Sequence, residues 1–170
     1  TGLGLRSAVA DIATPYGVIR FVGIHLRSTG ASSDSLGGLV AELTDGFRGR
    51  EAQIQAVCGY LDQWRALADV SGDIPVIVAG DFNMGEFSDA YRCMGARMTD
   101  AFRAVGSGYG FSWPATDTRF GRLASLLVQT RIDYIFHSSH WDTASAHTLS
   151  RPTGSDHRAV VATMRLKIEN

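Results

Sequence analysis

Val78-Ala79-Gly80-Asp81-Phe82-Asn83 closes a short, continuous apolar run that begins at Ile74. A run of that length and character reads as a strand buried on both faces. Asp81 and Asn83 stand two apart at its C-terminal end, so their side chains project the same way. Gly80, just before them, lets the backbone approach a neighbour closely. An acidic acceptor beside an amide donor suits holding a water and a phosphoryl oxygen together. The same residue types also make an ordinary turn.

Working outward from this strand, residues 50–68 read as a helix, with Ile54, Val57, Cys58, Leu61 and Trp64 at helical spacing and polar residues between them. Further upstream, residues 5–13 and 18–26 read as two strands joined at Thr14-Pro15-Tyr16-Gly17, a hairpin. Residues 27–49 are rich in Ser, Gly and Thr and read as a long connection with at most one helical turn. Downstream, residues 87–94 predict a helix and 99–105 a short helix or turn, followed by a glycine-rich loop at 106–110. Residues 131–136, 144–149 and 159–166 predict strands. No internal repeat or linker stands out, and the whole chain reads as one α/β domain with mixed, mostly antiparallel sheets.

Three further stretches carry chemistry. In Ser155-Asp156-His157-Arg158 a hard oxygen ligand adjoins an imidazole whose ordinary pKa is nearest neutrality. Such a pair in a loop is also common as a solvated turn. In Arg131-Ile132-Asp133-Tyr134-Ile135 a carboxylate interrupts an apolar strand. Buried, it requires a partner, which a His would supply; on an edge strand it would face water. In Ile24-His25-Leu26 a His ends a β-rich run, a position that a satisfied core or edge histidine also takes. His137, His140 and His147 have no supporting pattern and read as surface residues.

Composition bounds the rest. With 170 residues, 45% hydrophobic and 19% charged, the chain can bury one core and is not a disordered polymer. No apolar run approaches the roughly 20 residues of a membrane-spanning helix, and the N-terminus lacks the pattern of a signal peptide. The reading is a soluble chain of unassigned compartment. Net charge is -1, and Lys167 is the only Lys among 16 basic residues. That balance shows no general basic surface of the kind that drives non-specific nucleic-acid binding. Cys58 and Cys93 are too few for a disulfide framework and read as two buried thiols.

Taken in order, His25-Leu26 after a strand, Arg50 and Gln53 at a helix start, Gly80-Asp81-Phe82-Asn83, Arg131-Ile132-Asp133-Tyr134-Ile135 and the final Ser155-Asp156-His157 resemble the endonuclease/exonuclease/phosphatase superfamily. The resemblance runs from residue 5 to 166. It implies part of a four-layer α/β/β/α sandwich and a Mg²⁺- or Mn²⁺-dependent phosphoesterase acting on a phosphate ester, whether nucleic acid, lipid-linked or small-molecule. It implies that Asp81 orients or deprotonates the attacking water and that Asn83 binds a phosphate oxygen. His157 would act as acid, base or stabiliser at phosphorus, with Asp133 fixing its tautomer. Asp156 would ligate the metal and His25 would contact the phosphate from the other side. The Phe111-Ser112-Trp113-Pro114 stretch fits the family's pocket rim, or aromatic packing under a loop.

The family's early Asn and its principal metal-ligating Glu have no counterpart in this chain. Glu42, Glu51 and Glu86 stand in a loop, at a helix start and after Asn83. The expectation is therefore the C-terminal portion of such a domain, without its N-terminal strands. Half a sandwich exposes an apolar sheet face, which points to self-association. The alternative function is an inactive, non-enzymatic homologue that packs or binds.

Overall fold

The computed structural model describes residues 7–28, 36–71, 73–115, 129–150 and 154–167, with backbone only over 36–43 and 68–71. The chain starts with β1 (Ser7–Thr14) and β2 (Gly17–His25), an antiparallel hairpin in which Thr14 pairs with Gly17. The two-residue loop Pro15-Tyr16 closes it, and Gly17 takes a φ of 115° that other residues rarely adopt. Helix α1 (Leu36–Ser71) then carries the chain back to β3 (Val76–Asp81), which lies parallel to β2. Parallel pairing requires such a crossover. After β3 come α2 (Asp89–Gly95), β4 (Thr99–Asp100), α3 (Ala101–Val105), β5 (Asp133–His137), β6 (Trp141–Thr148) and β7 (Val160–Leu166).

Five strands form one mixed sheet in the order β1-β2-β3-β5-β4, and β6 and β7 form a separate antiparallel pair. Val22, Ile24, Val76, Val78, Tyr134 and Phe136 turn one face of the large sheet toward α1 and α2. There they meet Ile54, Val57, Leu61 and Met94 in one buried cluster. Alternation sends His137 to the opposite face, where its Nε2 lies 2.7 Å from Thr143 Oγ1 on β6. The β6–β7 pair is thus tied to the side away from the helices. The result is a helix layer, a five-stranded mixed sheet and a two-stranded sheet, which is the layering expected of the sandwich. At the β1–β2 end the face away from the helices leaves Ile12 and Phe21 exposed. No helix among the described residues is long and apolar enough to cross a membrane.

Strand register gathers the polar residues. His25 pairs with Asp81, and Asp81 pairs with Asp133, so three polar residues form one row across β2, β3 and β5. Gly80 is obligatory beside that row: at φ 144°, a Cβ would lie 1.8 Å from the Ile24 carbonyl oxygen of the neighbouring strand.

Four expectations need correction. Residues 27–49 are not mainly a connection, because α1 begins at Leu36. Glycines that lower helix propensity hid its first turns, and they are accommodated by packing: Gly46 is buried, and the Arg27 side chain lies against Gly49. Cys58 and Cys93 are not free thiols but a disulfide between α1 and α2, with Cα atoms 6.5 Å apart. His137 is not a surface residue; it is 2% exposed and held by Ser138 O and Thr143 Oγ1. The strand expected at 131–136 starts two residues later, because Arg131 is drawn into a buried ionic cluster.

That cluster joins distant segments. Arg131, 3% exposed, donates to both carboxylate oxygens of Asp100 at 3.1 and 2.6 Å and to Glu86 Oε1 at 2.6 Å. Its guanidinium also lies 4.5 Å from the centre of the Tyr134 ring. Burial alone would lower the Arg131 pKa, but Asp100 and Glu86 outweigh it and hold the charge firmly in place. Asp100 in turn caps α3 through Phe102 N and accepts from the Tyr91 hydroxyl, whose own pKa burial pushes up to about 12. The Tyr134 hydroxyl lies 2.9 Å from Met84 O and 2.7 Å from Arg131 O. The segment after β3 and the entry to β5 are thereby fastened together.

Candidate active site

At the C-terminal end of β3 the chain turns sharply. Asn83 adopts φ 48°, an uncommon value for a residue with a side chain. Asp81 stabilises the turn itself: its Oδ1 accepts from Asn83 N at 2.8 Å and its Oδ2 from Asn83 Nδ2 at 2.9 Å. Asn83 Nδ2 also donates to Leu26 O at 3.0 Å, tying the turn to the end of β2. His25 Nε2 stands 3.6 Å from Asp81 Oδ2. The acid–amide pair is therefore both a turn and a polar cluster, so the two readings of this stretch are not exclusive.

Across the row, Asp133 Oδ2 lies 2.8 Å from His157 Nδ1. This is the partner that a carboxylate inside an apolar strand requires, and β5 is an interior strand between β3 and β4. A carboxylate at Nδ1 keeps the proton on that nitrogen and leaves Nε2 as the atom that can give or take one. The backbone of Asp133 is also gripped: the fully buried Ser112 hydroxyl oxygen accepts from Ile132 N and Asp133 N, each at 3.1 Å. Ser112 had no signal of its own in the sequence beyond its place in the aromatic-Pro stretch.

Burial raises the Asp81 carboxyl above its ordinary value, and the negative charge of Asp133 adds to this. For His157, burial alone would lower the pKa. The hydrogen bond and charge of Asp133, with Asp81 and Asp156, outweigh it, and the net direction is up. A raised His pKa contributes stability that is complete below the ordinary value and is lost as pH rises through the folded-state value. In metal-free protein, Asp133→Asn is therefore expected to lower the His157 titration midpoint, read by NMR of the imidazole protons. Stability between the two midpoints should fall with it. An unchanged midpoint would contradict the pairing.

His25, Asp81, Asn83, Asp133, Asp156 and His157 all line one cavity of about 990 Å³. Ligand atoms of Asp81, Asp133 and His157 lie within 4.8 Å of one another and could hold a metal ion. Asp156 is outside that trio; its carboxylate is exposed and receives Trp113 Nε1 at 3.4 Å. Glu51 and Arg50 are among the lining residues not singled out for chemistry. Glu51, expected at a helix start, lies within α1 and borders the cavity. Arg50, read only as a helix-start marker, donates through Nη1 to the Asn83 carbonyl. Glu86 is turned away to Arg131.

A mixed sheet covered by helices on one face and by an antiparallel strand pair on the other, with Asp, Asn and His at its strand ends, defines a half-sandwich α/β architecture. The sequence profile of the endonuclease/exonuclease/phosphatase family matches residues 7–157, and the chain belongs to that family. A comparison with curated protein sequences finds no match. Among solved structures, an endonuclease/exonuclease/phosphatase from Bacteroides vulgatus is similar at 19% identity and TM-score 0.62, over 95% of this chain and 55% of that one. The mannosyl-6-phosphatase of Bacteroides thetaiotaomicron aligns at 17% identity and TM-score 0.57, over 88% of this chain and 52% of its own. The human Nocturnin catalytic domain with a bound sulfate anion aligns at 18% and 0.57, over 95% and 52%. The chain thus spans about half the length of these structures.

Proposed function

We propose that this chain carries the catalytic C-terminal portion of a phosphoesterase domain that hydrolyses phosphate esters with a divalent metal, Mg²⁺ or Mn²⁺. The observation that supports it best is the convergence of Asp81, Asp133 and His157 within 4.8 Å in one cavity, with His25 and Asn83 beside them. Carboxylate oxygens suit Mg²⁺, which prefers hard ligands and retains waters. Asp133, through the oxygen that His157 leaves free, and Asp156 in the same cavity would hold it. When bound, the metal would polarise the phosphoryl group and offset its charge.

The remaining work falls to the chain's own groups. Asp81 orients the attacking water and takes its proton. Asn83 Nδ2, which now donates to Asp81 Oδ2 and Leu26 O, would hold a phosphate oxygen by giving up one of these two acceptors. His157 carries a proton at Nε2 toward the leaving oxygen, and Asp133 keeps its ring in the correct tautomer. His25 contacts the phosphate from the β2 side. In such displacements positioning and electrostatics supply most of the rate.

For substrate class, the cavity is much larger than a phosphate group and so has space for an organic portion. Its lining includes Glu51, Asp81, Asp89, Asp133 and Asp156, with Arg50 as its one permanent cation among the described residues. A polyanion tracks along basic surface, so we favour a small phosphate ester over a nucleic acid. The names of two similar proteins, a sugar phosphatase and a domain holding sulfate, agree with an oxyanion site. The test is a panel of phosphomonoesters, phosphodiesters and DNA with Mg²⁺ or Mn²⁺. Hydrolysis that EDTA abolishes and added metal restores is expected. No turnover of any member would reject the reading.

A further inference from the structure

Arg50 lines the cavity, yet the catalytic roles leave it unused. It is 6% exposed, and among the described residues its Nη2 has no hydrogen-bond partner. Nη1 is committed to the Asn83 carbonyl, and the Phe47 ring, one turn earlier on α1, lies 4.8 Å from the guanidinium carbon. Burial lowers the Arg50 pKa and the charge of Asp81 opposes this, but an Arg remains charged at any working pH. A buried, unpaired charged donor is costly, and native structures rarely keep one without a use.

Position suggests the use. Through Asn83, Arg50 is bound to the same turn that presents Asp81. The cavity around it is rich in carboxylates, so a free acidic side chain is not what it awaits; those available leave Nη2 unpaired. A phosphoryl oxygen, arriving with the ligand, would complete the guanidinium's bonds. Phe47 is 59% exposed, so its ring can leave the guanidinium at little cost in burial.

We infer that Arg50 is an oxyanion-binding residue of this cavity, covered by Phe47 until a phosphoryl group takes the place of the ring against the guanidinium and accepts from Nη2. The inference deepens the phosphoesterase reading and rests on it for the identity of the ligand. An Arg–phosphate contact of this kind is charge-assisted and directional, and it would add a fixed cation on the Asn83 side of the phosphate.

Binding of inorganic phosphate to the 170-residue chain, measured by calorimetry with Mg²⁺ present, tests it separately from turnover. Arg50→Met is expected to weaken phosphate binding about ten- to hundredfold, and Phe47→Ala to tighten it while circular dichroism stays unchanged. Unaltered affinity in a folded Arg50→Met protein would overturn the proposal. Should Arg50→Met fail to fold, Phe47→Ala decides: tighter binding supports the covered site and unchanged binding refutes it. Wild-type protein that binds phosphate with this dependence but hydrolyses nothing would retain the oxyanion site and sink the hydrolase reading instead.

Discussion

Asp81→Asn is expected to reduce turnover about a thousandfold, the scale of losing a positioned general base, while the melting temperature at neutral pH stays close to that of the wild type. Asp81 is raised in pKa by burial and by Asp133. A group raised in the folded state contributes stability only below its unfolded pKa, and the contribution is lost as pH rises through the folded value. At neutral pH the buried charge of ionised Asp81 therefore costs stability. Asn keeps an acceptor oxygen for Asn83 N and removes the charge, but it sets an NH2 group against Asn83 Nδ2 in place of Oδ2, so the two effects on stability oppose each other. Turnover near the wild-type level would remove Asp81 from the chemistry. A melting temperature several degrees lower would mean that the carboxylate's hydrogen bonds to Asn83 outweigh the cost of its buried charge.

Gly80→Ala is expected to cost about 4 kcal/mol or more, in the range reserved for severe steric or strain defects, and to abolish any activity with it. The added Cβ would lie 1.8 Å from Ile24 O and 2.8 Å from Ile24 C, backbone atoms of the parallel neighbour that cannot rotate away. Relief requires β2 and β3 to part where His25 and Asp81 face each other. Gly59→Ala is the matched control. It lies within α1 with nothing within 4 Å of its Cβ position, and about 0.5–1 kcal/mol of added stability is expected from helix propensity. Denaturant unfolding of both variants measures the contrast. A Gly80→Ala protein as stable as wild type would show that the strands are not packed this closely.

Much of the fold is legible in the sequence, and for local reasons. The hairpin, the buried strand and the inner face of α1 follow from period and turn chemistry, which act within a few residues. Asp133 is legible because a carboxylate in an apolar strand demands a partner, and His157 is that partner. The rest depends on residues far apart in the chain. Glycines in the first half of α1 conceal a helix whose neighbours, Arg27 among them, make room for it. Arg131 meets Glu86 and Asp100 across 45 and 31 residues, Cys58 meets Cys93 across 35, and Arg50 reaches Asn83 across 33. No spacing rule encodes such meetings. His137 sits on a strand end that alternation alone leaves undecided between solvent and β6.

The isolated bridge between Trp113 and Thr130 has a consequence for the tolerance of the chain to changes of length. Trp113 N and Thr130 O are 3.1 Å apart and Thr130 N and Trp113 O 2.8 Å, and Ala115 N is held by Asp156 O at 2.6 Å. The chain that departs after Ala115 and returns at Gln129 is closed at its base by these bonds, and Arg131 seals the position just beyond. With those two ends fixed, the entropic cost of joining them depends only weakly on the length of chain between. A change of length between 115 and 129 thereby leaves the Asp133–His157 pair, gripped by the Ser112 hydroxyl at Asp133 N, in place.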